Sequence, residues 1–327
     1  MKSGLFAREE GTAKTDLVWP WVSTFVALCI MYGSQFIAAL ILKILNINIL
    51  IFEGLNYTIY SVIAVVLLFL YSHFSAGFYS DRKPGAVFRR PKISVMVLVF
   101  MLALGLLGIV SLYMEYVVSL AEKTEEVAQK LEEYNDSVER YVDLEGLTVP
   151  RYDRVLYYIA VCFIVPVAEE MIFRGVILGQ FLKSYKPWVG LLISTLVFGL
   201  VHGLSIHIGY ALICGFVIGL VYVLTENMLM PILIHMTFNV FGSGISSFLG
   251  DGWVNITDEQ SIAVRGALSV IELRLAPMVV FGIMLLFFIR RSEIHKAQGL
   301  VRETTAFDSV PRKKSDEEKQ DIKITIE

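Results

Sequence analysis

Three short stretches carry the residue types that could move protons, and all three lie inside apolar runs. They are VPVAEEMIFRG with Glu169, Glu170 and Arg174, FGLVHG with Phe198 and His202, and HMTFN with His235 and Asn239. Glu170 and Arg174 are four residues apart, as are Phe198 and His202, and His235 and Asn239. Residues at i and i+4 share a helix face, so each stretch projects one compact pair in one direction. Glu170 and Arg174 read as a buried ion pair in which each charge offsets the burial cost of the other. Glu169 points about 100° away from that pair and has no countercharge on its own helix. A carboxylate sheltered from bulk solvent can serve as a general base toward water. Two histidines near it are further proton carriers, Asn239 is a hydrogen-bond donor beside His235, and Phe198 reads as packing.

The elements that must position these groups are membrane helices. The chain has 327 residues, of which 56% are hydrophobic and 18% charged, and a mean hydropathy of +0.65. Globular chains sit near 45–50% apolar, roughly speaking. Eight apolar stretches come close to the roughly 20 residues that a crossing helix needs: 19–42, 57–74, 93–113, 155–182, 188–204, 206–224, 228–249 and 275–289. Lipid leaves backbone groups no partner but each other, so all are expected to be helical. The fold class read from the sequence is an all-α, polytopic membrane helix bundle with about eight transmembrane helices. Within the fourth stretch the three charges cost about 2.5–3.5 kcal/mol each, against about 0.3–0.6 kcal/mol gained per apolar residue. A helix with no task beyond spanning would gain by losing them, and ionisable groups at membrane depth are functional candidates. Counted at about 1.5 Å per residue, Glu169 and His202 both lie roughly 20 Å from the cytoplasmic ends of their spans, with Asn239 at roughly 16 Å and His235 at roughly 10 Å.

Orientation follows the basic residues. Arg82, Lys83, Arg89, Arg90 and Lys92 after the second span face only Asp81, which places that loop and both termini in the cytoplasm. Lys183 and Lys186 agree, as do Arg290, Arg291 and Lys296. Residues 114–154 hold eleven acids against five bases and fall outside. Leu120, Val127, Leu131, Tyr134, Val138 and Tyr141 recur there at helical spacing, which predicts an amphipathic external helix, either a connector packed on the bundle or a lid over a substrate entrance. The division expected is a segment 1–18, three spans in 19–113, the insert 114–154, a core 155–291, and a solvated tail 292–327 expected to be disordered. Gly175 with Gly179 and Gly215 with Gly219 form small-residue faces for close helix approach. His207 is expected in an external turn facing solvent, with His73 and His295 at the surface. Cys29, Cys162 and Cys214 are odd in number and lack CxxC spacing, so neither a disulfide framework nor a zinc site is expected. A net charge of −3 gives no reason to expect nucleic acid as a partner.

The ordered set EExxxR, FxxxH and HxxxN resembles the intramembrane proteases of the CAAX-processing and bacteriocin-processing family, related to the prenyl endopeptidase that trims CAAX proteins. The resemblance covers 155–248. It implies a glutamate-dependent endopeptidase acting on a peptide or lipidated protein in the bilayer, such as a prenylated or precursor peptide, with no metal and no cofactor. It implies Glu169 as the base that activates water, His202 as its assistant, and His235 and Asn239 as oxyanion donors. Glu170 and Arg174, with Phe198, would shape the site. Two histidines and a glutamate are also a legitimate zinc set, although HExxH is absent. A transporter or proton relay and a regulatory scaffold stay open as well. The simple inside-positive loops point to a prokaryotic plasma membrane, and the sequence carries no signal for oligomeric state.

Overall fold

A computed structural model describes residues 17–76, 88–139, 149–203, 205–245 and 258–297. The helices are α1 (Trp19–Ile44), α2 (Glu53–Ala76), α3 (Ile93–Ala121), α4 (Glu125–Glu139) and α5 (Arg151–Ser184), then α6 (Pro187–Leu200), α7 (Ser205–Thr225), α8 (Leu229–Asn239), α9 (Asp258–Leu275) and α10 (Pro277–Ala297). No strand occurs among the described residues, so the protein is an all-α membrane helix bundle. One compact unit runs to Phe287; the second begins at Phe288 and is described over 288–297, which are helical. The expected tail beyond residue 297 lies outside the described residues.

The spans differ in detail from the eight expected. Among the described residues five helices are long and apolar enough to cross a bilayer: α1, α2, α3, α5 and α7. A sixth arises if α9 and α10, bent by 43° at their junction, count as one. Stretch 188–204 becomes α6, only 14 residues long, because the chain turns at Val201–Gly203, where Gly203 takes a φ of +74°. The stretch that begins at 228 contains the short helix α8. α9 occupies a region that falls between the last two apolar stretches. Its Glu259, Arg265, Glu272 and Arg274 hide it from a hydropathy reading, and it forms by lying along α3.

The described part of the insert carries a helix as expected, with a shifted start. α3 continues through Leu120 to Ala121, because residues 114–121 are apolar enough to prolong it, and α4 then carries Val127, Leu131 and Tyr134. α4 packs on α3 and α7. Tyr141 lies outside the described residues.

Burial separates inner from outer helices. Half of the apolar window of α7 and 44% of that of α5 are buried, against 22% for α1 and α2. Phe25, Phe36 and Phe69 are exposed on the outer helices, as side chains that face lipid should be. α5 is surrounded by α1, α2, α6 and α8, and Ile172, Phe173 and Ile177 join Leu68, Phe198 and Ala211 in one apolar cluster. The polar groups of α5 therefore sit in the interior of the bundle.

A buried carboxylate fixes α2 to this core. Asp153, near the start of α5, accepts from the backbone N–H groups of Gly54 and Leu55 at 2.8 and 2.9 Å. These are orphan donors of the first turn of α2, so a residue almost a hundred positions away supplies the cap. Asp153→Ala is expected to cost about 1–2 kcal/mol, read as a lower unfolding temperature in detergent. Faster amide exchange at Gly54 and Leu55 should accompany it, and unchanged exchange there would contradict the capping role.

Candidate active site

Glu169 and Glu170 stand on a short α-helical piece of α5, Val165–Glu170, between two π-helical segments, Ala160–Ile164 and Met171–Leu178. A third π segment, Val240–Gly244, follows Asn239. Such segments replace i→i+4 bonding with i→i+5 and cluster at functional sites. Pro166, which has no N–H to give, falls two residues after the end of the first one. The wide turn brings the Val161 carbonyl within reach of α8, where Asn239 Nδ2 donates to it at 2.9 Å.

The ion pair lies on one face of α5, as the spacing predicts. Arg174 Nη1 donates to Glu170 Oε1 at 3.0 Å, with the two side chains 1% and 0% exposed. Arg174 Nη2 donates to the Gly215 carbonyl of α7 at 3.1 Å, and the guanidinium lies over the Phe198 ring, 4.6 Å from its centroid. A cation on an aromatic face is attracted by the ring quadrupole. Gly215 makes this approach possible: a Cβ there would meet Phe198 Cδ1 at 3.0 Å. Glu170 Oε2 and Arg174 Nε are buried with no hydrogen-bond partner among the described residues.

His235 links the two glutamates. Its Nδ1 lies 2.7 Å from Glu170 Oε1. That oxygen already accepts from Arg174, so the carboxylate is the acceptor and Nδ1 donates. The opposite ring nitrogen, Nε2, then faces Glu169 Oε2 at 3.6 Å. Glu170 is sealed, whereas the Glu169 side chain is 26% exposed. The two adjacent carboxylates thus differ in role-defining environment: one anchors, the other reaches the open side.

His202 approaches from the end of α6. Its Nδ1 is 2.6 Å from the Phe198 carbonyl, one of the orphan acceptors of a helix C-terminus, so Nδ1 donates and Nε2 remains. The Phe198 ring lies 4.6 Å from the His202 ring and 6.2 Å from the His235 ring, and meets Phe173 edge-on at 4.9 Å. Phe198 is therefore the common neighbour of both histidines and Arg174, a wider part than packing alone. Among the described residues no hydrogen bond or ion pair joins His202 to Glu169; the ring of Phe198 connects it to the cluster. His207 departs from expectation. It lies inside α7, half-buried, stacked on Tyr210 and 4.5 Å from the His202 ring. α7 starts at Ser205, one residue before the stretch 206–224, so His207 belongs to its first turn and packs against His202 and Tyr210.

The structure thus gathers Glu169, Glu170, Arg174, Phe198, His202 and His235, with Asn239 anchored on α5 about two turns before Glu169. Sequence reasoning missed the Val161 and Gly215 carbonyls, which have no side-chain signal, and the inward turn of His207. Among the described residues no group of three or more His, Cys, Asp or Glu side chains is arranged to hold a metal ion.

Comparison with known proteins bears on the same segment. Residues 151–241 match the family model described as type II CAAX prenyl endopeptidase Rce1-like, a range that includes all seven residues. The chain is similar to a Bacillus subtilis (strain 168) protein named "Putative membrane peptidase YdiL", 33% identical over 76 residues, which are 23% of this chain and 31% of that one. It is also similar to "UPF0177 protein YxdF" of Lactococcus lactis subsp. lactis (strain IL1403), 36% identical over 87 residues, or 26% of this chain and 48% of that one. The chain spans less than half the length of these curated relatives. No solved structure matches.

Proposed function

We propose that this chain is an intramembrane endopeptidase in which Glu169 activates water against a peptide carbonyl of a membrane-associated substrate. The observation that carries the reading is the pair of unequal carboxylates joined by one imidazole, His235, with Glu170 sealed and Glu169 accessible. Glu169 takes a proton from water as its oxygen attacks, and the proton passes to the leaving amine as the tetrahedral intermediate collapses. His235, held through Nδ1 by Glu170, turns Nε2 to the Glu169 side. Carrying a proton there, it donates to the developing oxyanion. The Asn239 carboxamide, steadied by Val161, is the second donor. Preorganised donors of this kind contribute about 3–4 kcal/mol each. His202, its Nδ1 committed to Phe198, offers Nε2 to assist the base. Glu170, Arg174 and Phe198 hold the shape.

The substrate class that fits a site at this depth is a lipidated protein or a precursor peptide that enters from the bilayer, consistent with the matched family and with the name of the Bacillus relative. In the same reading both termini face the cytoplasm of a prokaryotic cell, 155–291 is the catalytic core, and 114–154 is an external insert.

New protein N-termini in the membrane fraction, labelled and identified by mass spectrometry, are expected to depend on the intact chain. The purified protein in liposomes should cut the peptide so identified and keep its activity after a strong chelator. Absence of chain-dependent N-termini would end the protease reading. Activity lost to chelation and restored by zinc would replace the glutamate mechanism with a metal one.

A further inference from the structure

Four rings from two helices and the turn after α6 form a continuous contact next to the site, and the catalytic scheme uses only one of them. His202 lies 4.5 Å from His207, ring centroid to ring centroid, and His207 stacks on Tyr210 at 4.6 Å with an interplanar angle of 24°. Tyr134, on α4 of the acidic insert, meets His207 and Tyr210 edge-on at 6.5 and 6.4 Å. Offset-stacked and edge-to-face rings at these distances attract beyond their shared burial. The turn of α7 that carries His207 is itself clamped. Tyr113 of α3 donates its hydroxyl to the Ile206 carbonyl at 3.1 Å, and Gly209 leaves the space for it, since a Cβ at 209 would sit 2.0 Å from the Tyr113 oxygen.

We infer that His207 is a positioning residue for His202, and that α4 is part of the site because Tyr134 completes the ring shelf behind His207. The physical need is plain. His202 follows the last turn of α6, where the chain leaves the helix, so its own backbone holds it less firmly than a mid-helix residue. The single bond from Nδ1 to the Phe198 carbonyl keeps the proton on Nδ1 only while the ring holds that orientation, and the Phe198 ring, 4.6 Å away, supports it from one side only. A second ring packed on it removes the remaining freedom and holds Nε2 on one bearing. Its neighbours along the shelf, from α3, α4 and α7, tie that bearing to the external insert. The inference rests on the protease reading for the task of His202, but the position of the ring can be measured without any substrate.

Two readouts test it on the full-length protein in detergent or nanodiscs. The first is imidazole nitrogen NMR of His202, assigned through His202→Gln. The intact protein is expected to show one tautomer with a slowly exchanging Nδ1 proton. His207→Ala should give mixed tautomers and faster exchange, while His207→Phe, which keeps a stackable ring without its nitrogens, should restore the single signature. Tyr134→Ala is expected to move it in the same direction as His207→Ala, by less. The second readout is cleavage of the peptide identified above. His207→Ala should lower kcat by about ten- to a hundredfold, the scale of a small misplacement, with KM little changed, and His207→Phe should recover most of it. An unchanged His202 signature in His207→Ala overturns the inference while leaving the protease reading intact. So does failure of His207→Phe to restore a signature that His207→Ala had lost. A protein that cuts nothing but shows the tautomer shift keeps the positioning role and loses only the proposed function. Should His207→Ala fail to fold, Tyr134→Ala and His207→Phe carry the same comparison.

Discussion

Glu169→Gln is expected to abolish cleavage while the protein stays folded in the membrane. The substitution keeps the shape and the partial exposure of the side chain and removes the only atom pair able to accept a proton there. Loss of a general base lowers turnover by about 10²–10⁴-fold, and more where no second base stands at the same place. Folding should be spared, because the carboxamide is not sealed from solvent and strands no buried charge. Surface-like changes of this kind usually stay within about 0.5 kcal/mol. The measurement is turnover of an identified peptide in liposomes beside the unfolding temperature of the same preparation. Proteolysis retained in this variant removes Glu169 from the role of base.

Arg174→Ala and Glu170→Ala should do the reverse and strike stability first. Glu170 is fully buried and receives both Arg174 and His235 on one oxygen. Without Arg174 its charge keeps only the imidazole. The Gly215 carbonyl also loses its donor and Phe198 its cation. Breaking a buried pair by removing one partner costs about 3–5 kcal/mol, enough to lower abundance in the membrane. Replacing both residues by methionine should cost less than the two alanine changes added together, since neither charge is then left alone. Normal unfolding temperatures for both single variants would contradict the structural assignment. A double variant that regains stability without cleavage would show that the pair also aligns His235.

Much of the site was legible because helical spacing is a local property. The four-residue separation of Glu170 and Arg174 put them on one face before any packing was known, and they pair at 3.0 Å. The offset of Glu169 from that face follows from the same rotation per residue. Spacing could not say which elements meet. Asp153 caps α2 from a position 99 residues away from Gly54, a relation with no trace in either segment alone. α9 carries too many charges to read as apolar and owes its helix to α3 beside it. His207 looked like a turn residue because Gly203 and Ser205 just before it are turn formers, yet it lies in the first turn of α7 and its ring packs on His202.

The sequence by itself determined that charges were placed in helices that lipid would reject, in pairs of fixed spacing, and that they must find one another in the interior. Which atoms meet was decided by the tertiary structure. The π segments of α5 set the reach of Val161. The close approach at Gly215 gave Arg174 its second acceptor, and α8 brought His235 between a sealed carboxylate and an accessible one. Backbone periodicity is written residue by residue along the chain, whereas hydrogen-bond partners and solvent access depend on helices that the sequence keeps far apart.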